Sequence, residues 1–140
     1  MYLTLQMSMI CKYEYKNGLL FQIFPEVLTV RDIHPLSKEM NIIDNEYSIM
    51  PNRLVNLQAT KSFDGDFNAV LDLAMMRIAK KFPNPFKTAL LVANDLQFGF
   101  ARMFQSLSNN PQITMKIFMD ELKAIEWLTA DDTRLTSNSL

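Results

Sequence analysis

At 140 residues with net charge −1, the chain fits one domain and carries no global field that would favour nucleic acid or an anionic membrane. Apolar residues make up 49% and charged residues 21%, an ordinary globular balance, and no apolar run approaches the roughly 18 residues that span a bilayer. One cysteine, Cys11, excludes an internal disulfide and suits a reducing cytoplasm. Met1 to Ile10 lacks the basic start and small-residue cleavage site of a signal peptide.

Met9 to Tyr15 alternates, with Met9, Cys11, Tyr13 and Tyr15 on one face, and Leu19 to Phe24 is a second apolar run. Asn17-Gly18 between them tolerates positive φ and predicts a tight type I′ turn, hence an antiparallel hairpin. Thr29 or Asp32 opens a helix; Thr29 with Asp32 resembles a capping box, and Pro35 fits better at the third position of a helix capped by Asp32. Val30, Ile33, Met40 and Ile43 mark its buried stripe, and Asp44 to Pro51 reads as loop.

Arg53 to Gln58 is the third strand, and Asp64-Gly65-Asp66 offers caps for a helix over Phe67 to Lys80. Phe67, Val70, Leu71, Ala74 and Ile78 fall at helical spacing along it, and Pro83 and Pro85 stop it. Lys87 to Ala93 reads as a strand whose part from Ala89 to Ala93 is apolar on both faces, as a parallel strand covered on both sides would be. A helix over Leu96 to Leu107, a strand over Ile113 to Phe118 and a helix over Asp120 to Leu128 complete the order β-β-α-β-α-β-α-β-α. The expected fold is α/β: a mostly parallel sheet with an antiparallel edge strand and packed helices, in a single domain over 1–130. The polar stretch 131–140 reads as a frayed tail.

Three segments, Pro51-Asn-Arg-Leu-Val-Asn-Leu57, Phe98-Gly-Phe-Ala-Arg-Met-Phe104 and Ile117-Phe-Met-Asp-Glu-Leu-Lys-Ala-Ile-Glu-Trp-Leu128, taken with the order of elements, resemble the STAS fold of bacterial anti-sigma factor antagonists. They are most similar to a branch of uncharacterised bacterial SpoIIAA-like proteins, over about Met9 to Leu128. The resemblance implies a bacterial regulatory or protein-interaction module rather than an enzyme. It also implies a phosphoacceptor serine at the start of the second helix. By spacing that position falls on or near Gly65, with Ser62 in the preceding loop, so the usual serine is missing.

No catalytic constellation stands out. His34, the single histidine, precedes Pro35 on an amphipathic helix with no nucleophile elbow in the chain, and reads as a surface or capping residue. One His and one Cys far apart give no metal-ligand spacing, and three glycines form no phosphate loop, so no cofactor is implied. Cys11 reads as a buried strand residue. Gly99 reads as an aid to close helix packing.

Two placements for function remain. The carboxyl edge of the sheet, where open α/β sheets bind ligands, would gather Gln58, Thr60, Ser62, Asn94, Asp95 and Arg102 around a small anionic or lipidic molecule. Asn94 and Asp95 could equally be caps, and Arg102 could pair with Asp72 or Asp95. Alternatively, the apolar excess on the second and third helices, at Leu73, Met76, Phe98, Ala101 and Phe104, is covered either by a thick core or by a protein partner, including a second copy in a homodimer.

Overall fold

The computed structural model describes residues 9–130; the tail at 131–140 and most of the segment weighed as a signal peptide lie outside them. Strands β1 (Lys12–Lys16) and β2 (Leu19–Ile23) form the antiparallel hairpin. Its turn residues Asn17 and Gly18 take φ of 54° and 79°, the left-handed pair that a type I′ turn requires. From β2 the sheet continues in parallel through β4 (Asn52–Asn56), β6 (Phe86–Leu91) and β7 (Ile113–Phe118), in the order β1-β2-β4-β6-β7.

Two short strands were not expected: β3 (Val27–Thr29) and β5 (Ser62–Asp64) pair in parallel with each other, Leu28 opposite Phe63. The Glu26 carbonyl accepts from the Lys61 and Ser62 N–H groups and starts the pairing. This ribbon ties together the loops that leave the carboxyl ends of β2 and β4.

A single 3₁₀ turn over Val30–Asp32 leads into α1 (Ile33–Asn45). The Asp32 carboxylate accepts from the Thr29 N–H at 2.7 Å and the Thr29 hydroxyl at 3.0 Å, and Pro35 sits at the third helical position, where its missing N–H costs nothing. Helices α2 (Phe67–Ile78), α3 (Asp95–Leu107) and α4 (Glu121–Thr129) follow, each capped by a short polar side chain: Asp66, Asn94 and Asp120.

The sheet is covered on both faces. Leu36, Met40 and Ile43 of α1, Val70, Leu73 and Ala74 of α2, and Ala101 and Phe104 of α3 pack with Leu20, Val55 and Leu90 on one face. Ala124 and Leu128 of α4 pack on Leu19, Leu54, Ala89 and Leu91 on the other. Successive residues of β6 therefore enter different cores, which is why its sequence is apolar without alternation.

Several expected placements are corrected. Val30 is exposed, because it lies in the turn before α1 rather than on the helix. Asp44 is not loop: it lies in α1 and is buried. On α2 the buried stripe is Ala69, Val70, Leu73, Ala74 and Arg77, not Phe67, Val70, Leu71, Ala74 and Ile78. Arg77 turns inward to meet Asp44, and this rotates the helix so that Phe67 faces solvent. Leu73, Ala101 and Phe104 lie in the core and cannot face a partner, while Met76 and Phe98 of the same expected surface are exposed.

Burial pushes the Cys11 thiol up to about 12 and also raises the Tyr13 phenol, both at the start of the edge hairpin. A folded-state pKa above the unfolded one supplies stability that is complete below the unfolded value and fades as pH climbs through the folded one. Denaturation midpoints should therefore fall progressively from the ordinary thiol value of 9.0 towards about 12, and a Cys11→Ala variant should fall less steeply. A flat profile over that window in urea titrations would contradict this.

Candidate functional site at the carboxyl edge

A cleft of about 440 Å³ opens at the carboxyl edge of the sheet, between the first turns of α2 and α3. Phe24, Leu28 and Leu57 line its inner part, Phe63 lines the side formed by β5, Phe67 and Val70 come from α2, and Leu96, Phe100 and Met103 come from α3. Phe63 sets one wall. Its ring meets that of Phe100 edge to face with centroids 4.8 Å apart. It can lie there because Gly65 has no side chain: a Cβ at 65 would come within 2.4 Å of the ring.

Gly99 also lines the cleft, but for a different reason from the one expected. A Cβ there would meet nothing within 4 Å, so Gly99 permits no close helix packing; it leaves open space.

The polar residues of this edge mostly brace the loops. Gln97 is buried; its Oε1 accepts from the Ala93 N–H at 2.7 Å, and its Nε2 donates to the carbonyls of Gln58 and Thr60 at 3.2 and 2.9 Å. The Thr60 hydroxyl donates to the Pro25 carbonyl at 2.8 Å, and the Gln58 side chain donates to the Val92 carbonyl at 3.3 Å. Asn94 caps α3 through the Gln97 N–H at 2.9 Å. These bonds join three chain crossings and fix the cleft walls.

Of the residues expected at a ligand site, Thr60, Ser62 and Asp95 line the cleft, and Gln58 and Asn94 support it from behind. Arg102 does not join them. It is exposed on α3, away from the lining, and among the described residues it makes no ion pair with Asp72, Asp95 or any other carboxylate. The aromatic lining, Phe24, Phe63, Phe67 and Phe100, was missed. The available signal was a phenylalanine content of 10 in a chain of this length, which reads as core until the strand ends are placed together.

Beneath the sheet's helical face lies a buried ionic cluster with no counterpart among the expected sites. The Asp44 carboxylate accepts from Arg53 Nη2 and, at 2.5 Å, from Arg77 Nη1, joining α1, β4 and α2. Burial alone would raise the Asp44 carboxyl, but the two guanidiniums outweigh it and hold it below its ordinary 3.8. Nearby, the buried Glu39 accepts from the Ile10 and Cys11 N–H groups at 2.6 and 3.0 Å and from the Tyr13 hydroxyl at 2.9 Å. Gln22 Nε2 donates in turn to the Tyr13 oxygen at 3.3 Å.

His34 is exposed on α1, and among the described residues no three His, Cys, Asp or Glu side chains gather as a metal site would require. No described helix is long and apolar enough to cross a membrane. The stretch from Asp64 to Val70, which carries the first turn of α2, contains no hydroxyl; Ser62 lies before it in β5.

No protein-family model and no curated protein matches the sequence. A solved structure does match: an uncharacterised protein of the DUF3478 family with a SpoIIAA-like fold, from Shewanella loihica PV-4, at 17% identity and a TM-score of 0.54, over 84% of this chain and 91% of that one. Both the mixed five-stranded sheet with its antiparallel edge and this likeness lead to one conclusion: the chain has the SpoIIAA-like α/β fold.

Proposed function

We propose that this chain is a non-enzymatic binding module that seats a small apolar or amphipathic molecule in the cleft between α2 and α3. One observation carries the reading: a 440 Å³ cleft, walled mainly by aromatic and aliphatic side chains, sits at the strand ends where open α/β sheets bind ligands. A regulatory role of the kind the fold resemblance implies would then work through occupancy of the cleft. The serine switch is not the means, since the first turn of α2 offers no hydroxyl to phosphorylate.

Gly99→Leu tests the reading. The added side chain starts in open space, improves helix propensity and projects from a residue that lines the cleft. The unmodified protein should bind Nile red with a blue-shifted emission, and the variant should lose that binding at an unchanged melting temperature. Undiminished dye binding by a folded Gly99→Leu protein would remove the cleft as the binding site.

A second reading, docking of a protein or a second copy, rests on the exposure of Phe67, Leu96 and Phe98 on the two helices that border the cleft. Sedimentation velocity separates the two: a monomer that binds dye fits the first, a dimer whose dissociation follows Phe98→Ser fits the second.

A further inference from the structure

We infer that the groove between α1 and α2 is a second binding site, independent of the cleft, and that it takes the phosphate group of a monoester. The groove has a volume of about 150 Å³ and is lined by Ser37, Lys38 and Asn41 from α1, by Met76 and Arg77 from α2, and by Lys80 just past the end of α2. At roughly 10–15 Å³ per water in this measure it holds about ten waters, ample for a phosphate and the first atoms of its ester group.

The lining carries cations and hydrogen-bond donors and no carboxylate. Arg77 adds no surplus charge, because the buried Asp44 and Glu39 offset Arg77 and Arg53. Lys38 and Lys80 differ: among the described residues neither pairs with an acid. Lys80 is held in place without being neutralised. Its Nζ donates to the Oδ1 atoms of Asn41 and Asn45, the second at 3.2 Å, and lies 5.7 Å from the centre of the Phe82 ring. An ammonium has three N–H groups, so one stays free, and the Asn41 amide is left with its Nδ2 as a further donor. A buried polar atom points the same way. Ser37 is 8% exposed, and its hydroxyl has no partner, whereas a buried helical hydroxyl ordinarily bonds, often to the carbonyl one turn back.

The carboxyl end of α2 would repel an anion, but the Arg77 and Lys80 carbonyls there accept from Asn110 Nδ2 at 2.8 Å each. Phosphate suits the groove better than a carboxylate does. A monoester brings three terminal oxygens and close to two negative charges at pH 7, about one for each unpaired lysine. Ser37 and Met76 also line an adjoining groove of about 470 Å³, which holds Asp72 and His34 but is otherwise walled by apolar residues such as Val30, Ile33 and Met75. An apolar ester group therefore has a path away from the charged end.

Nuclear magnetic resonance titration of the full chain with phenyl phosphate at fixed ionic strength tests this. Saturable shifts should appear at the amides of Ser37, Asn41 and Arg77, and inorganic phosphate should move the same amides with lower affinity. Lys80→Gln and Ser37→Ala should each weaken phenyl phosphate about tenfold, the factor a charge-assisted hydrogen bond carries. Lys61→Gln, which removes an exposed lysine beside Glu26, should leave the affinity unchanged. Should Lys80→Gln fail to fold by circular dichroism, Lys38→Gln provides the same test at an exposed position. Vesicles containing phosphatidic acid present the same group on a lipid; sedimentation with them that Lys80→Gln abolishes supports the site and makes a lipid its source. Absence of saturable shifts, equal affinities in the native, Lys80→Gln and Lys61→Gln proteins, or an undiminished affinity in folded Ser37→Ala overturns the site, and none of these results bears on dye binding in the cleft.

Discussion

Asp44→Ala is expected to destabilise the protein by about 3–5 kcal/mol, a loss comparable with the whole stability of a marginal domain. The side chain is fully buried and is the shared partner of Arg53 and Arg77, which are themselves almost completely enclosed. Removing it leaves two guanidiniums facing each other without a counter-ion, and their desolvation is no longer offset. Asp44→Asn should lie between alanine and the native residue, because it keeps an acceptor and loses the charge. Replacing all three residues together by Leu, Met and Met should recover much of the loss, since apolar packing of similar volume substitutes for a buried ion cluster. Urea denaturation of the single, conservative and triple variants gives the ranking, and an Asp44→Ala protein within about 1 kcal/mol of the parent would refute the buried cluster as a stabilising tie.

The same carboxylate should contribute to the acid limb of stability. Its folded pKa lies below the ordinary 3.8, so its contribution is present above that value and is lost as pH falls through the folded one. The parent should lose stability over that acid interval, and Asp44→Ala should show a shallower slope there. Parallel curves for the two proteins would mean that other carboxylates govern acid unfolding.

Glu39→Ala should act more locally and cost about 2–4 kcal/mol. It leaves the Ile10 and Cys11 N–H groups and the Tyr13 hydroxyl without their acceptor. All three belong to the start of the edge hairpin, so hydrogen exchange should accelerate through β1 and spare β4 and β6. Cys11 is the single cysteine and is buried, which makes its reaction with a thiol reagent a direct gauge of that opening. Reactivity should rise in Glu39→Ala and less in Glu39→Gln, where one carbonyl oxygen remains. Nile red binding should persist, because the cleft lies at the strand ends and contains no residue of β1. Unchanged Cys11 reactivity would show that Glu39 does not fasten this edge.

Local chemistry made much of the architecture readable. The Asn17-Gly18 turn and the strand Ile113–Phe118 depend on neighbours in sequence, and each stands where its residues place it. The β3–β5 ribbon was hidden for the opposite reason. Ser62-Phe63-Asp64 has no alternation long enough to read as a strand, and its partner lies 35 residues away. Arg53, Asp44 and Arg77 look like surface residues one at a time. They become interior only where three elements converge, and that convergence also rotates α2 away from its predicted stripe. The edge of the sheet was a predictable place for a cleft. Its aromatic walls were not, because Phe24, Phe63 and Phe100 come from three separate parts of the chain and any one of them reads as core.

The Asp44 cluster also constrains how such a chain can diverge. Loss of Asp44 strands two guanidiniums, whereas loss of Arg53 or Arg77 leaves one ion pair intact, so a first step at position 44 is steeply unfavourable while the completed exchange is not. Lineages that leave this arrangement should therefore lose an arginine before Asp44, and sequences holding both arginines without Asp44 should be scarce.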